Sequence, residues 1–113
     1  MAQSKIKSNI EGEWINVPAQ PSPTVNSLKY MVRNGIVYLN VYDNGQCSFT
    51  ARTWVKMGTL PEGARPSTSI YSSWNNRNGQ GGEIVIEADG DVMMNSNYTG
   101  NIFISTQVIA PIN

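Results

Sequence analysis

The residues that could do chemistry in this sequence are better suited to binding than to catalysis. Its 113 residues include no histidine and one cysteine, Cys47. The lack of histidine excludes Ser-His-Asp and Cys-His catalysis, histidine general bases and the commonest zinc ligand. A lone cysteine forms neither an internal disulfide nor a thiolate zinc site. Because Cys47 alternates with Phe49, we expect it to be a small buried apolar residue.

Paired carboxylates are the remaining route to hydrolysis, and their spacing does not favour it. Glycoside hydrolysis needs two carboxyl groups about 5 to 9.5 Å apart. Glu83 and Glu87 share a predicted strand face but lie roughly 13 Å apart. Glu87 and Asp89 are closer, at about 7 Å, yet they flank a predicted hairpin turn. The run from Glu87 to Asp91 also lacks the spacing of an EF-hand. We therefore expect no catalytic residue, no cofactor and no metal site.

Two polar clusters, each with an aromatic member, are candidate binding residues. An aromatic face can stack on the apolar face of a sugar ring, while amides and arginine hydrogen-bond its hydroxyls. The predicted saccharide-binding residues are Trp74, Asn75, Asn76, Arg77, Asn95, Asn97 and Tyr98. The alternative is that Trp74 packs in the core and the asparagines only form turns. Trp14 and Trp54 are flanked by apolar strand residues, so we expect them to be core residues.

These side chains must be positioned by β-strands. Short runs of Val, Ile, Thr and aromatic residues are separated by Asn-Gly and Asp-Gly pairs, which predicts an all-β chain. Asn34-Gly35 and Asn44-Gly45 each predict a two-residue hairpin turn, with a strand between them. About eight or nine short strands in a chain of one domain's length predict a single antiparallel β-sandwich or jelly roll.

One predicted strand is apolar on both faces. Residues 36–42 place Val37, Leu39 and Val41 on one face. The opposite face carries Ile36, Tyr38 and Tyr42. A strand that is apolar on both faces is covered on both, by a second sheet and by something else. In a small domain that is often another subunit, so we predict these three residues at a subunit interface; a solvent-exposed tyrosine face is the alternative.

Composition excludes several partners. Eight basic residues balance eight acidic ones, and only 14% of residues are charged. Binding to nucleic acid through counterion release therefore has no basic surface on which to act. No apolar run approaches the roughly 20 residues of a membrane span, so we expect no membrane insertion. Residues 1–7 lack the apolar segment of a signal peptide, so we expect none.

From Trp14 onward the chain resembles the receptor-binding head domains of phage tail fibres and baseplate tips, the lactococcal siphophage heads in particular. The resemblance rests on the order of four features. They are the early Trp14, the hairpin of residues 28–38, the loop LPEGARP at 60–66, and the strand at 84–86 with its following Asp89-Gly90 turn.

The resemblance implies a homotrimer of β-sandwich heads that adheres to host cell-wall saccharide from the tip of a virion tail, outside the host cell. Other tail proteins would then join on the N-terminal side. Members of the family carry His, Asp and Trp around the sugar, whereas this chain has Ile84-Val85-Ile86 there and no Trp after the Asp89-Gly90 turn. The family's sugar site therefore does not carry over residue by residue.

The predicted organisation has two parts. Residues 1–27 would contain an N-terminal strand and a Pro-rich crossing segment, with the edge of a stalk in residues 1–13. Residues 28–113 would form the head. Two other functions remain open: a carbohydrate-binding module of a larger enzyme, and an oligonucleotide-binding barrel whose strand aromatics stack on bases.

Overall fold

The computed structural model describes residues 11–18 and 24–112, and these residues form two β-sheets. A single turn of 3₁₀ helix, Glu62–Ala64, accompanies the strands. Within the described residues, no helix has the length and apolar character to cross a membrane. The strands are β1 Ile15–Asn16, β2 Ser27–Arg33, β3 Ile36–Phe49, β4 Val55–Thr59, β5 Ile70–Asn75, β6 Gly81–Ile86, β7 Asp91–Met94 and β8 Gly100–Pro111.

Every strand pair is antiparallel, and the two sheets are separate. Sheet A has the order β1-β2-β3-β8, and sheet B has the order β4-β7-β6-β5. The prediction of an all-β antiparallel sandwich is confirmed. Because the strands form two four-stranded sheets rather than one closed sheet, the alternative of an oligonucleotide-binding barrel is wrong.

The core lies between the inner faces of the two sheets. β2 and the first eight residues of β3 alternate between buried and more exposed residues. Val37 and Leu39 of sheet A and Ile84 and Ile86 of sheet B are fully buried. Burying an apolar side chain of this size stabilises the fold by about 1.5–3 kcal/mol. The period-2 pattern therefore fixes which face of each strand points outward, where ligands and partners can reach it.

The first Asn-Gly pair forms the predicted hairpin turn. Asn34 and Gly35 both have positive φ, 53° and 76°, between the paired residues Arg33 and Ile36. Two successive residues with positive φ define a type I′ turn, whose twist matches that of the flanking strands.

The second Asn-Gly pair does not form a hairpin turn, and this prediction is wrong. β3 continues through it to Phe49, and the pairing with β8 shifts register between Asn44 and Cys47. Gly45 has a φ of 109°, as a bulge residue can. The buried Asp43 carboxylate stabilises the bulge by accepting backbone N–H groups from Gly45, Gln46 and Cys47 at 3.1, 2.7 and 2.8 Å.

The N-terminal strand belongs to sheet A. Ile15 is paired with Tyr30 of β2, and the N–H of Val17 donates to the carbonyl of Leu28 at 2.8 Å. Val17 is buried in the core. Of the predicted stalk edge, residues 1–13, residues 1–10 lie outside the described residues, and so do residues 19–23, most of the Pro-rich segment.

Candidate functional site

The two predicted polar clusters lie side by side. One is on the β5–β6 loop and the other on the β7–β8 loop. Asn97 and Gly81 exchange two hydrogen bonds, from Asn97 N to Gly81 O at 2.8 Å and from Gly81 N to Asn97 Oδ1 at 3.1 Å. Asn95 N donates to Glu83 O at 3.0 Å, and Asn95 Oδ1 accepts from Glu83 N at 2.7 Å. These bonds hold the second cluster against β6, and the two clusters meet directly where Trp74 Nε1 donates to the carbonyl of Asn95 at 3.0 Å, 21 residues away in sequence.

Asn76 is already saturated by contacts within the protein. Its Nδ2 donates to Gln80 Oε1 at 2.9 Å and to the carbonyl of Phe103 at 2.8 Å. Its Oδ1 accepts from the N–H groups of Asn78 and Gln80 at 2.9 and 3.1 Å. The Asn76 amide therefore ties the β5–β6 loop to β8.

Trp74 is a core residue. Its side chain is 3% exposed, and its indole Nε1 donates to the carbonyl of Asn95 at 3.0 Å. An aromatic ring in that position offers no face to a sugar, so the expectation that Trp74 stacks on a ligand is incompatible with the structure. The ring lies inward because Trp74 occupies an inward-facing position of β5, where the strand alternation places apolar side chains.

The other two tryptophans are placed opposite to expectation. Trp14 and Trp54 are 41% and 40% exposed, so the prediction that they are core residues is wrong. Trp14 precedes β1 and packs against Lys29, whose Nζ lies 5.6 Å from the centre of the indole ring. Trp54 precedes β4 and meets Tyr71 edge to face, with ring centroids 6.4 Å apart. Apolar sequence neighbours do not bury these rings because both lie at strand ends.

Among the predicted saccharide-binding residues, Asn75, Arg77, Asn97 and Tyr98 are exposed. The guanidinium of Arg77 lies 5.7 Å from the centre of the Phe103 ring. Phe103 in turn meets Tyr42 edge to face, with centroids 6.0 Å apart. Arg77, Phe103 and Tyr42 therefore form a continuous row, the aromatic rim, which leads from the β5–β6 loop onto the outer face of sheet A.

An open depression of about 590 Å³ lies on this outer face beside the aromatic rim. Across β2, β3 and β8, Lys29, Asn40 and Gln107 form one cross-strand row, and Gln107 Nε2 donates to Asn40 Oδ1 at 2.6 Å. The residues that line the depression are Ser27, Lys29, Asn40, Val41, Tyr42, Ser105, Thr106 and Gln107. None of these is acidic, and Lys29 is the one charged group among them.

Sequence reasoning missed most of this depression. The polar positions of β2 and β3 were visible as outward-facing residues in a hairpin whose register is fixed by Asn34-Gly35. The contribution of β8 was not visible, because Gln107 lies 67 residues from Asn40 and no local signal specifies their pairing.

The predicted subunit-interface residues share this outer face. Ile36 and Tyr38 are half-buried and Tyr42 is 44% exposed. Tyr38 is paired with Met31 on one side and with Ile109, 54% exposed, on the other. The face thus has an apolar end around Tyr38 and a polar end around the depression, and Tyr42 belongs to the polar end.

The three-dimensional fold is similar to that of a known protein. Neither a protein-family model nor a curated protein sequence matches the chain. The head domain of lactococcal phage bIL170, a receptor-binding domain with a known crystal structure, is similar with a TM-score of 0.63 and 18% sequence identity. The similarity covers 89% of this chain and 98% of that one. The chain therefore has the fold of a lactococcal phage receptor-binding head domain.

Proposed function

We propose that the chain is the receptor-binding head of a phage tail appendage and binds a saccharide of the host cell surface without turnover. The observation that carries this proposal is the similarity to the bIL170 head domain, which extends over nearly all of both chains. In this role the protein belongs to the virion tail and acts outside the host cell, and other tail proteins join it on the N-terminal side.

The depression and its aromatic rim suit a sugar. Sugar hydroxyls both donate and accept hydrogen bonds, and the amides of Asn40 and Gln107 can do the same. Tyr42 offers a partly exposed ring at the edge, and Arg77 offers planar donors above Phe103. The site is open, so a single contact is expected to be weak, with a Kd near 1 mM, or about −4 kcal/mol.

The apolar end of the same face supports a homotrimer. Ile36, Tyr38 and Ile109 lie on adjacent strands and retain apolar surface outside the core. A neighbouring copy that covers this end would leave the depression open beside the subunit boundary. Three weak sites on one trimer would then bind a repeating polymer more tightly through effective concentration, without any new contact.

The experiment is adhesion of the fluorescently labelled head to bacterial cells, with purified cell-wall polysaccharide as competitor. We expect the double variant Tyr42→Ala/Arg77→Ala to reduce adhesion about tenfold or more, because it removes the ring and the guanidinium that face the ligand. Arg33→Ala is the matched control, since it removes an exposed arginine at the other end of sheet A.

Three results would contradict the proposal. Failure of the wild-type head to adhere to cells of any susceptible host would contradict receptor binding. Adhesion that polysaccharide does not compete would contradict the saccharide ligand. Release of reducing sugar from the polysaccharide would contradict binding without turnover and favour a module with enzymatic activity.

A further inference from the structure

The outer face of sheet B carries an exposed aromatic pair that the proposed site does not use. Trp54 and Tyr71 are 40% and 62% exposed. They come from the β4 and β5 edges of the sheet, yet their ring centroids are 6.4 Å apart, so the rings reach toward each other across β7 and β6. Val85 of β6 is 2% exposed on this outer face, outside the core between the sheets, so side chains of the outer face cover it.

The charge around this pair is opposite to that of the depression. Glu83 in β6 and Glu87 just beyond it lie two residues before and two residues after Val85. Because alternate residues of a strand share a face, both carboxylates lie on the outer face with Val85. Asp91 shares the face with Met93 and accepts the hydroxyl of Thr59 at 2.8 Å. Lys56 lies 3.3 Å from Asp91. The acidic groups thus outnumber the cation here, whereas the depression of sheet A is lined by Lys29 and no carboxylate.

The exposed area of this aromatic pair is too small to form a protein interface by itself. Trp and Tyr bury 150–250 Å² each when enclosed, so their exposed fractions leave roughly 200 Å² of ring surface. A stable protein interface needs about 800 Å² from each partner. The surface is of the size that one or two sugar rings cover, and the surrounding carboxylates can accept hydrogen bonds from sugar hydroxyls while repelling phosphates and other anions.

We propose that the outer face of sheet B is a second saccharide-binding surface, on which Trp54 stacks against a neutral pyranose unit while Tyr71, inclined at 76° to the indole, borders the sugar. This inference rests on the proposed function, because it assigns another part of the same glycan receptor to a second face. The head then binds chemically distinct sugar units on its two outer faces. The unit at sheet A tolerates or prefers the cationic Lys29 beside it, and the unit at sheet B is uncharged.

The experiment is NMR titration of the ¹⁵N-labelled head with methyl β-D-glucopyranoside, methyl β-D-galactopyranoside and N-acetylglucosamine. We expect at least one of these sugars to shift the indole N–H resonance of Trp54 and the backbone resonances near Tyr71. The indole of Trp74, hydrogen-bonded in the core, is an internal control that stays in place. Because the ligand is uncharged, added salt should leave the affinity unchanged.

Variants separate the second site from the first. Trp54→Ala is expected to weaken sugar binding about tenfold or more, as the loss of a stacking ring does. Trp14→Ala is the matched control, since it removes an equally exposed tryptophan from the other sheet. If Trp54→Ala perturbs the fold, Tyr71→Ala tests the same surface at a more exposed position.

The outcomes distinguish this inference from the proposed function. Shifts confined to sheet A, or no shift with any of the three sugars while the head still adheres to cells, would overturn the second site and leave the proposed function intact. Sugar binding at Trp54 by a head that adheres to no cells would support the surface and overturn the proposed function.

Discussion

Amide side chains hold the β5–β6 and β7–β8 loops in place, and Arg77 stands exposed beside them. Asn76, Asn95 and Asn97 accept hydrogen bonds from the backbone N–H groups of residues 80, 83 and 81, respectively. A typical intramolecular hydrogen bond contributes about 0.5–1.5 kcal/mol, so turning one of these amides toward a ligand would cost about that much. Arg77, between Asn76 and the loop tip, is exposed as a result and is available for binding.

Trp74 gives a direct test at this scale. Trp74→Ala should destabilise the head by about 3–5 kcal/mol, because it removes a large core ring and a hydrogen bond to Asn95. Trp14→Ala, at an exposed position, should cost less than about 1 kcal/mol. Urea unfolding followed by circular dichroism measures both. A Trp74→Ala head that unfolds at the wild-type midpoint would contradict the core position.

Cys47 makes the stability depend on pH in the alkaline range. Burial, with a smaller contribution from the Asp43 carboxylate, raises the pKa of the Cys47 thiol from 9.0 to about 11. The unfolded chain therefore loses this proton from about pH 9 while the folded chain retains it, and stability falls as the pH rises from about 9 to about 11. Burial also raises the pKa of Tyr30.

Comparison with Cys47→Ala isolates the thiol. The free energy of unfolding of the wild type should fall more steeply between pH 9 and pH 11 than that of the variant, since Tyr30 titrates in both. Urea midpoints at half-unit pH intervals provide the measurement. Parallel curves for the two proteins would show that the thiol has the same pKa in the folded and unfolded chains.

At the scale of elements, the bulge in β3 depends on one carboxylate. Asp43 is 1% exposed and accepts four backbone N–H groups, three of them from the bulge and one from Asn26 at 3.0 Å. Asp43→Asn should destabilise the head by about 2–3 kcal/mol, because it removes the charge and replaces an acceptor with a donor. Asp89→Asn is the control, since exposed Asp89 accepts a single N–H in a turn.

Thermal unfolding of both variants measures the difference. Equal melting temperatures for Asp43→Asn and the wild type would show that the bulge does not need the carboxylate. The bulge also shows why the predicted turn does not form. Asn44-Gly45 has the composition of a type I′ hairpin turn. The Asp43 carboxylate instead accepts the N–H groups of Gln46 and Cys47, so the strand continues through a bulge.

The strands were largely predictable because their signal is local, and the site was not because it depends on distant pairings. Alternation in residues 28–33 and the Asn34-Gly35 turn give the β2–β3 hairpin directly. By contrast, the register that brings Phe103 beside Tyr42 is set by tertiary packing. The burial of the three tryptophans could not be predicted for the same reason. It depends on whether the end of the strand faces the second sheet, which tertiary packing decides.

The whole molecule presents two outer faces of different character. The face of sheet A combines the apolar end around Tyr38 with the depression around Asn40. Ile109→Lys should convert the proposed trimer into monomers, because it places a charge at the centre of the apolar end. Tyr71→Lys, on the other sheet and similarly exposed, should leave the trimer intact.

Light scattering on each protein at about 50 µM measures this assembly, since association depends on protein concentration. Circular dichroism confirms that both variants remain folded. A monomeric wild-type head under these conditions would overturn the trimer, and a trimeric Ile109→Lys head would place the contact on another surface.

The long pairing of β3 with β8 also determines the order in which the chain can fold. β2 and β3 adjoin in sequence and can pair early, and sheet B is formed entirely by residues 55–94, between β3 and β8. β8 must then close a loop of about fifty residues or more to reach β3, and such non-local pairing is slow. During synthesis on the ribosome, β3 therefore has an unpaired edge until residues 100–111 emerge. That edge is the part of the nascent head most exposed to aggregation.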